Sequence, residues 1–129
     1  MSIFALKELD VIKGKQKFFK LLKDGVCEFD EFEIEARINY YSQMTRIYAL
    51  MNKVANLETL TMKQFKDITP KKEKVKEYEF KTKNLRVYVI HESDTGKIII
   101  CGGYKNSQNK DITHFREVKK QYLITGITK

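Results

Sequence analysis

The chain has few of the residues that build metal, redox or nucleotide sites. Its two cysteines, Cys27 and Cys101, lack metal or redox spacing, and His91 and His114 are its only histidines. This argues against a zinc site and fits reduced thiols in a cytosolic protein. No apolar run approaches the ~18 residues that a membrane span needs. The opening residues, MSIFALKELDVIKGK, lack a basic start followed by an apolar block, the mark of a secretory signal. A cytoplasmic location with no membrane partner is therefore expected. There is no repeat, no low-complexity tract and no Ser/Gly linker, so residues 1–129 read as one domain. The stretch Gly102-Gly103-Tyr104-Lys105-Asn106-Ser107 lacks the GxxxxGK-Ser/Thr spacing of a triphosphate loop. No cofactor is expected.

Cations are plentiful. The net charge is +8, and it comes mostly from lysine, with arginine only at 37, 46, 86 and 116. A basic excess points to nucleic acid or an acidic protein partner, against the plainer reading of a solvated lysine-rich surface. Each arginine matters, because guanidinium grips phosphate with two donors where lysine is a point charge.

The pattern predicts two short strands, over 4–11 and 17–23, separated at Lys13-Gly14-Lys15. Asp30 and Glu33 then form a capping box for a helix over 31–55. Along it Ile34, Ile38, Tyr41, Thr45, Tyr48 and Ala55 recur at three- and four-residue spacing and define its packing face. Tyr40, Tyr41 and Tyr48 read as helix–sheet packing. Residues 57–74 connect, with a helical turn at 62–65, and Lys71-Lys72-Glu73-Lys74 is a solvated loop. Three strands follow, over 75–82, 85–92 and 97–104. Their short turns, Lys83-Asn84 and Ser93–Gly96, make antiparallel hairpins. A last helix over 111–124 carries Ile112, Phe115, Val118 and Tyr122 and stops near Gly126. The order ββ–α–βββ–α is an α+β domain with helices packed on an antiparallel sheet.

A two-residue turn at Lys83-Asn84 pairs Lys81 with Arg86, Phe80 with Val87 and Tyr78 with Val89. One face then carries Tyr78, Phe80, Leu85, Val87 and Val89, the core side. The other carries Glu77, Glu79, Lys81, Arg86 and Tyr88. A slip of one residue would scramble this sorting. The second hairpin pairs Glu92 with Lys97, Tyr88 with Cys101 and Arg86 with Gly103, and puts Lys105 just past the strand end. His91 falls on the core side and reads as structural. Lys81 opposite Arg86 is a repulsive pair, and Gly103 beside them marks close approach of a backbone or ligand. Together they describe a floor for phosphate. In the competing reading Glu77 and Glu79 neutralise the cations and Gly103 makes a bulge.

Two segments carry a family resemblance: Lys81-Thr82-Lys83-Asn84-Leu85-Arg86-Val87-Tyr88, and Ile98 to Ile112 with Gly102-Gly103-Tyr104-Lys105-Asn106-Ser107-Gln108-Asn109-Lys110-Asp111 inside it. They resemble the RelE/ParE superfamily of bacterial type II toxins, in its RelE/HigB-like, phage-derived branch. The resemblance is strongest over 75–124 and weakest over the first 25 residues. It implies a RelE-like α+β toxin domain and an mRNA interferase that cuts translated message at the ribosome. The 2′-hydroxyl attacks the adjacent phosphate, and no metal takes part.

Such chemistry needs a base, a cation for the phosphorane and an acid for the leaving oxygen. By resemblance Lys81 lies near the attacking hydroxyl, Arg86 stabilises the phosphorane, and Lys105, often arginine in the family, serves the leaving-group side. His114 is the implied acid, with Tyr104 as second choice. Lys83, Tyr88, Gly103, Tyr104, Gln108 and Lys110 are the implied RNA contacts. The resemblance also implies a cognate antitoxin, with a helix-turn-helix and an acidic or amphipathic segment over the basic face. The alternatives are a ParE-like DNA gyrase inhibitor and a catalytically inert RNA- or protein-binding module.

Overall fold

A computed structural model describes residues 2–126 as a six-stranded mixed sheet with one helix on each face. The strands are β1 (Phe4–Glu8), β2 (Phe18–Lys23), β3 (Phe65–Asp67), β4 (Lys76–Lys81), β5 (Leu85–Glu92) and β6 (Gly96–Tyr104). The helices are α1 (Glu28–Ala55) and α2 (Gln108–Thr125), the second entered through a 3₁₀ turn at Lys105–Ser107. The sheet order is β1-β2-β6-β5-β4-β3. The expectation of an antiparallel sheet is corrected at one place: β2 runs parallel to β6, because α1 carries the chain to the far edge as β3 and the antiparallel β3–β4–β5–β6 meander then brings β6 back in the sense of β2. The three-residue β3, in a segment expected only to connect, follows a turn in which Gln64 and Phe65 N–H both donate to Thr61 O. No helix among the described residues is long and apolar enough to cross a membrane.

Alternation along the central strands feeds two cores. Phe18, Phe80, Leu85, Val87, Val89 and Ile99 face α1. Phe4, Leu21, Tyr88, Ile90, Ile98 and Ile100 face α2, where Phe115, Val118 and Tyr122 cover them. The β4–β5 register matches the sequence reading from Tyr78↔Val89 to Lys81↔Arg86 and continues in step to Lys76↔His91. The β5–β6 register matches from Arg86↔Gly103 to Tyr88↔Cys101, then slips by one to Val89↔Ile99 and Glu92↔Gly96. Ile100 is the extra residue of that bulge, so the irregularity lies at Ile100 and not at Gly103.

The α1 expectations need two corrections. The helix starts at Glu28 with Cys27 at the N-cap and no side-chain cap. Asp30 instead accepts from Lys20, and Glu33 accepts from Arg37 and Tyr48, so no capping box forms. Glu28, Asp30 and Glu31 in the first turn suit the positive end of the helix dipole. Secondly, the buried stripe is Phe29, Phe32, Ala36, Met44, Ile47, Leu50, Met51, Val54 and Ala55, which keeps only Ala55 of the expected face fully buried. Ile34, Ile38 and Tyr41 are 72%, 76% and 65% exposed. The helix kinks at Tyr40, where φ is −133° and ψ is 39°. Helix α2 begins at Gln108, a turn earlier than expected, and ends at Gly126, where φ is 71°.

Gly102 and Gly103 let both helices close on β6. A Cβ on Gly102 would meet the Phe32 ring of α1, and one on Gly103 would meet the Asp111 carboxylate of α2. Gly102→Ala is expected to cost about 1–3 kcal/mol, because the whole Phe32 ring has to move. Urea denaturation reads this directly, and an unchanged midpoint would refute the packing account. Cys27 and Cys101 are both buried and unpaired.

Candidate functional site

The second sheet face is not the open floor that the sequence suggested. Helix α2 lies on it, and Glu77, Glu79 and Tyr88 are fully buried there while Arg86 is 5% exposed. The cost of burying such groups is met by α2 itself. Lys119 Nζ donates to Glu77 Oε2 at 2.8 Å, and Arg116 Nε donates to Glu77 Oε1 at 2.9 Å. Gln108 Nε2 donates to Glu79 Oε2 at 2.6 Å. Both sheet carboxylates therefore turn to the helix, and neither forms an ion pair with Lys81 or Arg86. The reading in which they neutralise the strand cations does not hold.

Arg86 Nη1 donates to Thr82 O at 2.6 Å and to Leu85 O at 2.8 Å, which aims the guanidinium along β5 toward the β4–β5 turn. Its Nε, Glu79 Oε1 and Tyr88 Oη are buried without partners. Tyr88 stacks on Phe115 at 5.5 Å, and burial with nearby Glu79 pushes its hydroxyl pKa up. It has no surface from which to touch RNA, so that expected role is corrected. Gly103 is corrected likewise: what approaches it closely is Asp111, whose Oδ2 accepts from Ser107 Oγ at 2.6 Å.

The remaining cations gather at this end of the sheet. Lys81 is partly exposed opposite Arg86, Lys83 and Lys105 are exposed in the adjoining turns, and Lys110 is exposed at the start of α2. Among the described residues none of these five cations has a carboxylate within salt-bridge reach, whereas Lys20, Arg37, Arg116 and Lys119 do. Lys105 N–H donates to Asn84 O, which ties the β6 exit to the β4–β5 turn. Gln108 is partly exposed but engaged with Glu79. His114 is drawn away: its Nε2 lies 2.7 Å from Glu28 Oε1 at the start of α1. The structure thus brings Lys81, Lys83, Arg86 and Lys105 to one end and leaves His114 against Glu28 elsewhere. His91, on the α1 face as expected, lies 3.0 Å from Lys97 Nζ. Burial pushes the Lys97 pKa down to about 8.

Sequence reasoning missed a groove beside these cations. It opens between the kinked middle of α1 and the β6 exit, lined by Glu35, Asn39, Tyr40, Asn84, Tyr104 and Lys105. Tyr104 Oη donates to Glu35 Oε1 at 2.8 Å, and burial followed by this bond raises the phenol pKa to about 12. The Tyr40 and Tyr104 ring centroids are 5.9 Å apart. Gln43, also on α1, latches the turn by accepting from Asn84 N–H and Thr82 Oγ1 and donating to Asn84 Oδ1. The available signal was the Phe29, Phe32, Ala36 stripe, which sets Glu35 beside the packing face at the level of the β6 exit. Among the described residues no three His, Cys, Asp or Glu side chains cluster as for a metal. Compared with known proteins, the chain matches no family model, no curated protein and no solved structure.

Proposed function

We propose that this chain is an endoribonuclease of the mRNA-interferase kind, the toxin of a type II toxin–antitoxin pair, acting on translated message at the ribosome. The observation that carries this reading is the set of cations at one sheet end that no carboxylate neutralises. Like charges held opposite each other across strands are unfavourable unless an anion joins them, and a phosphodiester supplies that anion. The resemblance of the Lys81–Tyr88 and Ile98–Ile112 segments to RelE/HigB-like toxins supports the same substrate.

In this reading the partly exposed Lys81 faces the scissile phosphate, Lys105 attends the leaving 5′-oxygen, and Arg86, 5% exposed, adds its charge from beneath α2. The guanidinium is held from behind by the Thr82 and Leu85 carbonyls, so it is oriented before substrate arrives. The exposed Lys83 and Lys110 hold flanking phosphates. The partner that silences it is an antitoxin with an acidic or amphipathic segment over the basic end.

Induced expression in a bacterial host tests the proposal. The expected result is growth arrest with new 5′ ends inside reading frames of translated mRNA. Arrest with intact mRNA would point to gyrase, and growth without arrest would point to an inert binding module. Either outcome removes the interferase reading.

A further inference from the structure

We infer that the groove between α1 and the β6 exit is a guanine pocket, in which Glu35 reads a base of the bound single strand. The inference takes its ligand, single-stranded RNA, from the interferase reading and adds a base preference to it. An unpaired base offers its Watson–Crick edge to a protein. Guanine alone among the four RNA bases has two adjacent donors there, N1–H and the N2 amino group. Adenine and cytosine set an acceptor beside their amino donor, and uracil has an acceptor on each side of its one donor. An ionised carboxylate only accepts. It therefore takes two bonds from guanine and faces a repelled acceptor on each of the others.

Glu35 is placed for this role. Its Oε1 accepts from the Tyr104 hydroxyl at 2.8 Å, which orients the carboxylate. A carboxylate oxygen accepts two bonds, so Oε1 keeps a free site. Among the described residues Oε2 has no hydrogen-bond partner. The walls supply a stacking surface: the Tyr40 and Tyr104 ring centroids lie 5.9 Å apart, and Phe32 packs edge-on against Tyr104 at 5.5 Å. Stacking on aromatic rings tolerates any base, so the tyrosines hold the base and the carboxylate chooses it. Gln43 holds Asn84 at the groove wall, which gives the site a rigid rim.

The groove is continuous with the cationic end through one residue. Lys105 lines it, and the Lys105 N–H donates to Asn84 O at 2.9 Å on the opposite rim. The Lys105 side chain is exposed and has no carboxylate within salt-bridge reach among the described residues. A nucleotide whose phosphate meets Lys105 thus has the groove beside it for its base. Lys81 and Arg86 project from the other sheet face and take no part in choosing the base. Tyr104 is a positioning residue for Glu35 as well as part of the stack.

The test measures binding apart from cleavage. The purified full chain, as wild type and Glu35→Gln, is titrated into fluorescein-labelled single strands of 2′-deoxyuridine in which one central base is guanine, adenine, cytosine or uracil. These strands lack the 2′-hydroxyl and cannot be cut. Wild type is expected to bind the guanine strand at least about tenfold more tightly than the other three, the scale of one two-bond base contact. Glu35→Gln offers one donor and one acceptor, so its four affinities should fall within about threefold of one another. Its affinity for the uracil strand should stay within about twofold of wild type, since stacking is untouched, and it should melt with wild type because Glu35 is exposed. Equal binding of the four strands by wild type, binding of none, or a guanine preference that survives Glu35→Gln overturns the pocket and leaves the interferase reading standing. A Glu35-dependent guanine preference in a chain that leaves mRNA intact on induction upholds the pocket and removes the interferase reading.

Discussion

Lys119→Ala is expected to lose about 3–5 kcal/mol of stability. Lys119 is 2% exposed and reaches Glu77, whose side chain is 1% exposed. It also donates to Val75 O at 2.8 Å and Glu73 Oε1 at 3.2 Å. Truncation strands a buried carboxylate whose one other ionic partner among the described residues, Arg116, is 42% exposed. Domains of this kind are held by only about 5–15 kcal/mol, so the variant should sit near the edge of folding at room temperature. The pair itself is a poor source of net stability, because both charges were taken out of water to make it. Glu77→Gln combined with Lys119→Met should therefore recover most of the loss. Urea denaturation of wild type and both variants measures this. A Lys119→Ala cost below about 1 kcal/mol would mean that the carboxylate is wetter than its burial indicates.

The same buried pair shows why sequence reading stopped where it did. The β4–β5 hairpin was legible because the Lys83-Asn84 turn and strict alternation fix one register. The stop at Gly126 was legible for a similarly local reason. Glu77 and Glu79 looked like solvent-facing positions, and only Lys119, Arg116 and Gln108 on a helix some 30 to 40 residues later make their burial affordable. The parallel β2–β6 contact is equally non-local. On α1 two apolar stripes compete, and periodicity alone cannot rank Ile34, Ile38 and Tyr41 against Phe29, Phe32 and Ala36. The packed stripe wins because its aromatic rings meet Gly102 and Tyr104 on β6. Choosing the other stripe turned Glu35 the wrong way and hid the groove. The strand cations were placed correctly by register, but their shelter under α2 was not.

The second large effect falls on catalysis. Arg86→Ala is expected to lower single-turnover cleavage by about 10²–10³-fold, the scale on which one fixed donor stabilises transition-state charge. Arg86→Lys should recover little, because the Thr82 and Leu85 carbonyls grip a planar fork that an ammonium cannot copy. Arg86 is buried, so melting is measured beside the rate. Lys105→Ala gives a comparison free of that concern, since Lys105 is exposed and its side chain makes no hydrogen bond among the described residues. Its rate should fall by about tenfold or more with an unchanged melting temperature. Variants that keep the wild-type rate would remove these cations from the chemistry.

The most direct test of the central claim is the fate of one defined mRNA in a reconstituted translation system given purified wild type or Lys105→Ala. The account predicts cuts within the reading frame, ending in 2′,3′-cyclic phosphate and 5′-hydroxyl, that appear with wild type and slow at least about tenfold in the variant. A message that stays whole with wild type, or cuts that proceed equally in both, would contradict it.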